Sequence, residues 1–166
     1  MPPWLPESGW LQVLPRGARD HPRELQEALF PHRLEHDPND FEANLNLGAV
    51  MLSRLNPHSA VPALRVAVRT EPDRADARNM LGLVLASTGR AADAIEQFEA
   101  ALKIEPQYVS ARFDLANALV KAGRLNAAIT NYRKVIAAFP EDPLPKQRLE
   151  EALAAQARQT SESLRH

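Results

Sequence analysis

The chain contains no cysteine. That excludes disulfides, thiolate metal sites, iron–sulfur clusters, haem attachment through CxxCH and a cysteine nucleophile. Aromatic residues are scarce, at 5%. Strands draw on aromatic and β-branched side chains, whereas the abundant Ala and Leu favour helix. Glycine is outnumbered by proline, 6 against 14, so a helical chain must place its prolines in loops or first helical turns. Charge of one sign is also missing: 20 Lys and Arg face 21 Asp and Glu, for a formal net charge of -1. The basic residues are scattered, so nucleic acid is not an expected partner. No apolar run reaches the roughly 18–20 residues of a membrane span, and membrane insertion is not expected. The opening MPPWLPESGW lacks a basic stretch followed by an apolar one and does not read as a signal peptide.

What the chain has is internal repetition. Pro38, Pro72, Pro106 and Pro140 fall at 34-residue intervals. Three blocks, 41–74, 75–108 and 109–142, align in that register. Their seventh positions are Leu47, Leu81 and Leu115; their eighth are Gly48, Gly82 and Ala116. The eleventh are Met51, Leu85 and Leu119, the twentieth Ala60, Ala94 and Ala128, and the twenty-fourth Leu64, Phe98 and Tyr132. Apolar spacing of three and four residues predicts two helices per block. In the middle block they run over Ala75–Ser87 and Ala91–Ile104, separated by Thr88-Gly89 and closed by Glu105-Pro106. The third block repeats this around Gly123 and Pro140. In the first, Leu55-Asn56-Pro57 replaces the glycine turn: Asn56 can cap the second helix and Pro57 can occupy its first turn. Pro62 is expected to kink that helix or delay its regular start.

This 34-residue helix–turn–helix unit resembles the tetratricopeptide repeat family. The middle block carries the likeness best, through Leu81-Gly82, Leu85, Gly89, Ala94, Phe98, Ala101 and Pro106. Asn44, Arg78 and Arg112 stand where the family usually has an aromatic on the first helix. Leu or Met replaces its usual Tyr at the eleventh position. The resemblance implies an all-α, right-handed solenoid of three units. Small residues at Gly48, Gly82, Ala116 and Ala94 would let paired helices approach closely. A degenerate helical segment over 21–40, where Phe30, Leu34 and Pro38 match half a unit, would precede the array. Residues 143–166 would form a capping helix with Leu149, Leu153 and Ala157 on its buried face and a wet outer side.

Residues 1–20 do not repeat, and their Pro2, Pro3, Pro6, Pro15, Trp4 and Trp10 read as an extended segment or as cover for the array's first edge. Met1 to Glu7 also looks like a segment of bacterial multidomain proteins that join a haem domain to such repeats. Hence a second reading: a structural module of a larger, exported protein whose activity lies elsewhere. The expected compartment is the cytoplasm, or the periplasm under that second reading.

Catalytic signatures are missing. No GxxxxGK[ST], GxSxG or GxGxxG occurs. His32 and His36 share helical spacing, but neither a third ligand nor HExxH accompanies them. The sequence therefore implies no enzyme, cofactor or metal site. In the resembled fold the first helix of each pair lines a concave groove that binds a peptide or protein segment, which implies a scaffold or adaptor. On this chain the groove positions are Glu42, Asn46, Asp76, Asn79, Met80, Leu83, Phe113, Asp114, Asn117 and Lys121, with Arg148 extending the row from the cap. Asn side chains can pair with a peptide backbone, and Met80, Leu83 and Phe113 offer apolar contact. A chaperone-type carboxylate clamp is not expected. Leu45, Ala49, Met80, Ser110 and Asp114 occupy its basic places, and Glu42, Asp76 and Asp114 would repel a terminal carboxylate.

Overall fold

A computed structural model describes residues 33–54 and 56–163. Residues 33–36 are helical. Seven helices follow: α1 (Phe41–Ser53), α2 (Pro57–Thr70), α3 (Ala75–Ser87), α4 (Ala91–Ile104), α5 (Val109–Lys121), α6 (Leu125–Ala138) and α7 (Pro143–Ser163). No strand occurs among the described residues. The bounds of α3 and α4 coincide with the ranges read from apolar spacing. Two compact units divide the chain, one up to Val84 and one from Leu85. The expected segment over 1–20, most of 21–40 and His32 lie outside the described residues.

Local chemistry starts and stops these helices. Asp40 caps α1 by accepting the Ala43 N–H at 2.8 Å. Asn56 caps α2 through the Ser59 N–H at 3.4 Å, and Pro57 fills the first turn, where its missing N–H costs nothing. Gly89 and Gly123 have φ of 81° and 72°, a left-handed conformation that disfavours any Cβ. They let the chain reverse, so that Arg90 N–H reaches Leu85 O at 2.9 Å and Arg124 N–H reaches Leu119 O at 2.8 Å. In the first unit Asn56 N–H makes the equivalent bond to Met51 O at 3.0 Å. Pro62 does not delay the regular start of α2, which begins at Pro57 and runs through it. Only the exposed first turn loses a backbone bond there, and water can serve the freed carbonyl.

The polar residues at the family's aromatic position have a shared task. Asn44 Nδ2 donates to Pro38 O at 3.0 Å, Arg78 Nε to Pro72 O at 2.8 Å and Arg112 to Pro106 O at 2.5 Å. Each first helix is thus tied by a side-chain donor to the proline turn before it. The hydrogen bond satisfies a carbonyl that the turn leaves without a backbone partner.

In the first unit α1 packs on α2, around fully buried Leu45, Ala60, Leu64 and Ala67. Gly48 makes that approach possible, since a Cβ built on it would overlap Leu64 Cγ and Cδ2. In the second unit α4 packs on α5, α5 on α6 and α6 on α7. Phe98, Leu119 and Tyr132 are its largest buried side chains.

The closing helix buries a different row from the one read off the sequence. Ala152 is 1% exposed, Pro145 is buried and Leu149 half-buried, whereas Leu153 is 38% exposed and Ala157 lies open. The repeat register explains the shift. Leu149, Ala152 and Leu153 stand 34 residues after Leu115, Ala118 and Leu119, so α7 docks as the first helix of a pair. The Leu119 position packs on a paired second helix, and among the described residues α7 has none. Ala152→Lys is therefore expected to cost about 1–3 kcal/mol or more by burying an unpaired ammonium. Leu153→Lys should stay within about 0.5 kcal/mol of wild type. Urea midpoints check this; the reverse order would place the buried row at Leu153.

Candidate functional site

In the first unit the candidate residues converge on one arginine. Arg74, in the turn between α2 and α3, donates to Asp76 Oδ2 at 2.7 Å and Oδ1 at 3.0 Å. It also meets Glu71 at 3.3 Å and Glu42 at 3.8 Å, and stacks 4.4 Å above the centre of the Phe41 ring. Glu42 and Asp76 are half-buried. The expectation that both repel a terminal carboxylate is corrected here: Arg74 offsets their charge. The sequence did not point to Arg74 because an arginine in a turn carries no helical periodicity. Its one signal was the nearby Asp76, two residues on.

Burial corrects three further expectations. Asn46 is 7%, Asn79 2% and Met80 1% exposed. Asn46 is unavailable to a peptide backbone because its Nδ2 donates to Glu42 O at 2.7 Å within its own helix. Met80 serves the core instead of an adaptable surface. Asn79 differs in one respect: its Oδ1 is buried without a hydrogen-bond partner. Leu83 is half-buried.

The second unit brings Phe113, Asp114 and Asn117 together with side chains from α6 and α7. The Tyr132 hydroxyl of α6 donates to Asn117 Oδ1 at 2.6 Å. Tyr132 and Phe113 meet edge to face, with ring centres 5.9 Å apart. Arg148 on α7 is exposed and donates to Glu151 Oε2 at 2.9 Å. Burial pushes the Tyr132 phenol up to about 12; Arg148 opposes this, while Glu151 and Asp114 add to it. Asp114 has no hydrogen bond or ion pair among the described residues. Protein surrounds it closely enough that desolvation pushes its carboxyl up to about 7. A partial opening to solvent remains. Lys121 is exposed at the end of α5. Asn117 also serves the fold: with Tyr132 only 1% exposed, removing the amide would leave a buried hydroxyl unpaired and affect stability as well as binding.

Elsewhere, His36 is exposed, and the described residues contain no group of three or more His, Asp or Glu able to hold a metal ion. Leu45 and Met80, at two of the carboxylate-clamp positions, are buried apolar side chains. No described helix is long and apolar enough to cross a membrane.

Helices at a 34-residue period, joined by left-handed turns at Gly89 and Gly123 and by the capped proline turn at Asn56-Pro57, define an all-α helical-repeat protein. The chain belongs to the tetratricopeptide repeat family, two of whose models match residues 52–109 and 85–149. The family's fold is generally a non-catalytic interaction fold. No curated protein matches the chain in sequence. Among solved structures it is similar to the crystal structure of MamA protein, with a TM-score of 0.77 and 21% identity over 89% of this chain and 81% of that one. A second MamA crystal structure gives a TM-score of 0.66 at 21% identity, covering 80% of this chain and 87% of that one. The second such domain of human RPAP3, solved by NMR with the HSP70 peptide SGPTIEEVD, gives 0.63 at 14% identity, covering 66% and 91%. At these identities the likeness shows the fold alone.

Proposed function

We propose that this protein is a non-catalytic scaffold or adaptor that binds a peptide or protein segment on the faces of its first helices. The observation that carries the reading is unmet polar capacity at those faces. Native proteins pair nearly all polar groups that they desolvate, yet the Asp114 carboxyl on α5 is left without a partner. A ligand lying along α5 supplies a donor to that carboxyl. The accessible contributors are Glu42, Asp76, Leu83, Phe113, Asp114, Asn117, Lys121 and Arg148. The segment is neutral or basic, because Asp114 has no cation beside it to screen an acidic one. In this it differs from the acidic SGPTIEEVD peptide of the RPAP3 complex.

Selection of peptides from a random display library against the full chain tests this. The selected peptides should lose at least about tenfold in affinity, roughly 1.4 kcal/mol, on Leu83→Arg or Lys121→Glu. Glu96→Lys, at an exposed position of the second helix α4, should leave affinity within about twofold. Binding abolished by Glu96→Lys and indifferent to both first-helix changes would place the partner on the opposite face.

A further inference from the structure

Within that reading, one position has chemistry specific enough to name what it takes. We infer that Asp114, Asn117 and Phe113 form a receptor for a single cationic side chain, Lys or Arg, of the bound segment. Asp114 and Asn117 lie three residues apart on α5, so they face the same side one turn apart. The Tyr132 hydroxyl holds Asn117 Oδ1 at 2.6 Å. That bond fixes the amide plane and leaves Nδ2 to donate, with no partner among the described residues. A carboxylate that takes a cation therefore stands beside a donor that takes a carbonyl. An extended segment presents that pair wherever Lys or Arg follows a peptide bond. Phe113 is half-buried and held edge-on by Tyr132; its ring gives the aliphatic stem of either side chain an apolar surface.

The protein does not meet this need internally. The Tyr132 hydroxyl that holds Asn117 feels Asp114 itself and, from α7, the charges of Arg148 and Glu151. Arg148, the one cation among them, is paired with Glu151 at 2.9 Å. Desolvation without a counter-charge is costly for an ionised carboxyl, and here it pushes the Asp114 carboxyl up to about 7. An external cation reverses that shift and is held more firmly than it would be at a fully hydrated carboxylate.

The test uses the full-length chain with ¹³C-labelled aspartate and three small probes: N-acetyl-arginine amide, N-acetyl-lysine amide and the neutral isostere N-acetyl-citrulline amide. The Asp114 carboxyl resonance is followed against pH with each probe raised to tens of millimolar. The two cationic probes should lower its titration midpoint by about one pH unit or more and bind at least about tenfold more weakly at pH 5 than at pH 8. Citrulline should do neither, and Asp114→Asn should lose the cationic probes while keeping its circular dichroism spectrum. Equal responses to arginine and citrulline, or an Asp114 midpoint unmoved by any probe, would overturn the inference. Selected peptides that bind the first-helix faces without enrichment in Lys or Arg would likewise overturn it. That last outcome leaves the broader peptide-binding reading intact, whereas binding governed by Glu96 would end the broader reading independently of the probes.

Discussion

Asp114→Asn is expected to stabilise the protein, and to do so more at pH 8 than at pH 5. The Asp114 carboxyl has its folded pKa raised from 3.8 to about 7 by desolvation. For a carboxyl raised in the folded state, the unfolded chain ionises first as pH rises. Its contribution therefore begins to oppose folding above pH ~4, grows until pH ~7 and is constant beyond. Between pH 5 and pH 8 the penalty increases by about 2–3 kcal/mol, at 1.36 kcal/mol per pH unit. Asn has nearly the same shape and cannot ionise, so its advantage over wild type should widen by that amount across the interval. Urea unfolding at the two pH values measures it. An advantage that is the same at both would mean that the Asp114 carboxyl titrates like an ordinary hydrated one. The same substitution should weaken binding of a basic segment, so a group that destabilises the free fold is retained at the position where a ligand would use it.

Gly48→Leu is expected to be the most damaging single change in the first unit. The absent side chain of Gly48 is what lets α1 lie against α2. Even a Cβ there would overlap Leu64 Cγ and Cδ2 and stand 3.0 Å from Cδ1. Leu64 is fully buried and has no solvent-filled space to move into, so the helices must part or Leu64 must leave its rotamer. Overpacking of this kind costs about 1–3 kcal/mol, and more for the full isobutyl group of Leu. Gly48→Ala should show the smaller end of that range. In the second unit the same register position already carries the fully buried Ala116, with Tyr132 instead of Leu64 at the facing register position. The position therefore tolerates a methyl where the opposing side chain differs. Thermal and urea melts of both variants measure the effect. A Gly48→Leu protein melting like wild type would mean that α1 and α2 do not meet at this register.

The repeat period, the helices and the close approach at Gly48 were legible in the sequence alone. Each follows from short-range chemistry repeated at a fixed interval: proline cannot continue a helix, glycine admits a left-handed turn, and apolar residues three and four apart share a helix face. Gly89 and Gly123, Pro57 with its Asn56 cap, and Ala75–Ser87 were all readable on those grounds. Exposure, and the partner of each charged group, depended on neighbours distant in the chain, and only the tertiary structure decided them. Arg74 gathers Glu42, Glu71 and Asp76 although Glu42 lies 32 residues away, which no local pattern encodes. Apolar spacing on α7 finds the row Leu149, Leu153 and Ala157, but docking on α6 buries Ala152 instead, because the helix sits as the first of a pair. Asn46 and Asn117 look alike on paper as amides on a first helix. One bonds its own backbone inside the core, while the other is held by a tyrosine from the next helix beside a carboxyl that the fold leaves without a counter-charge.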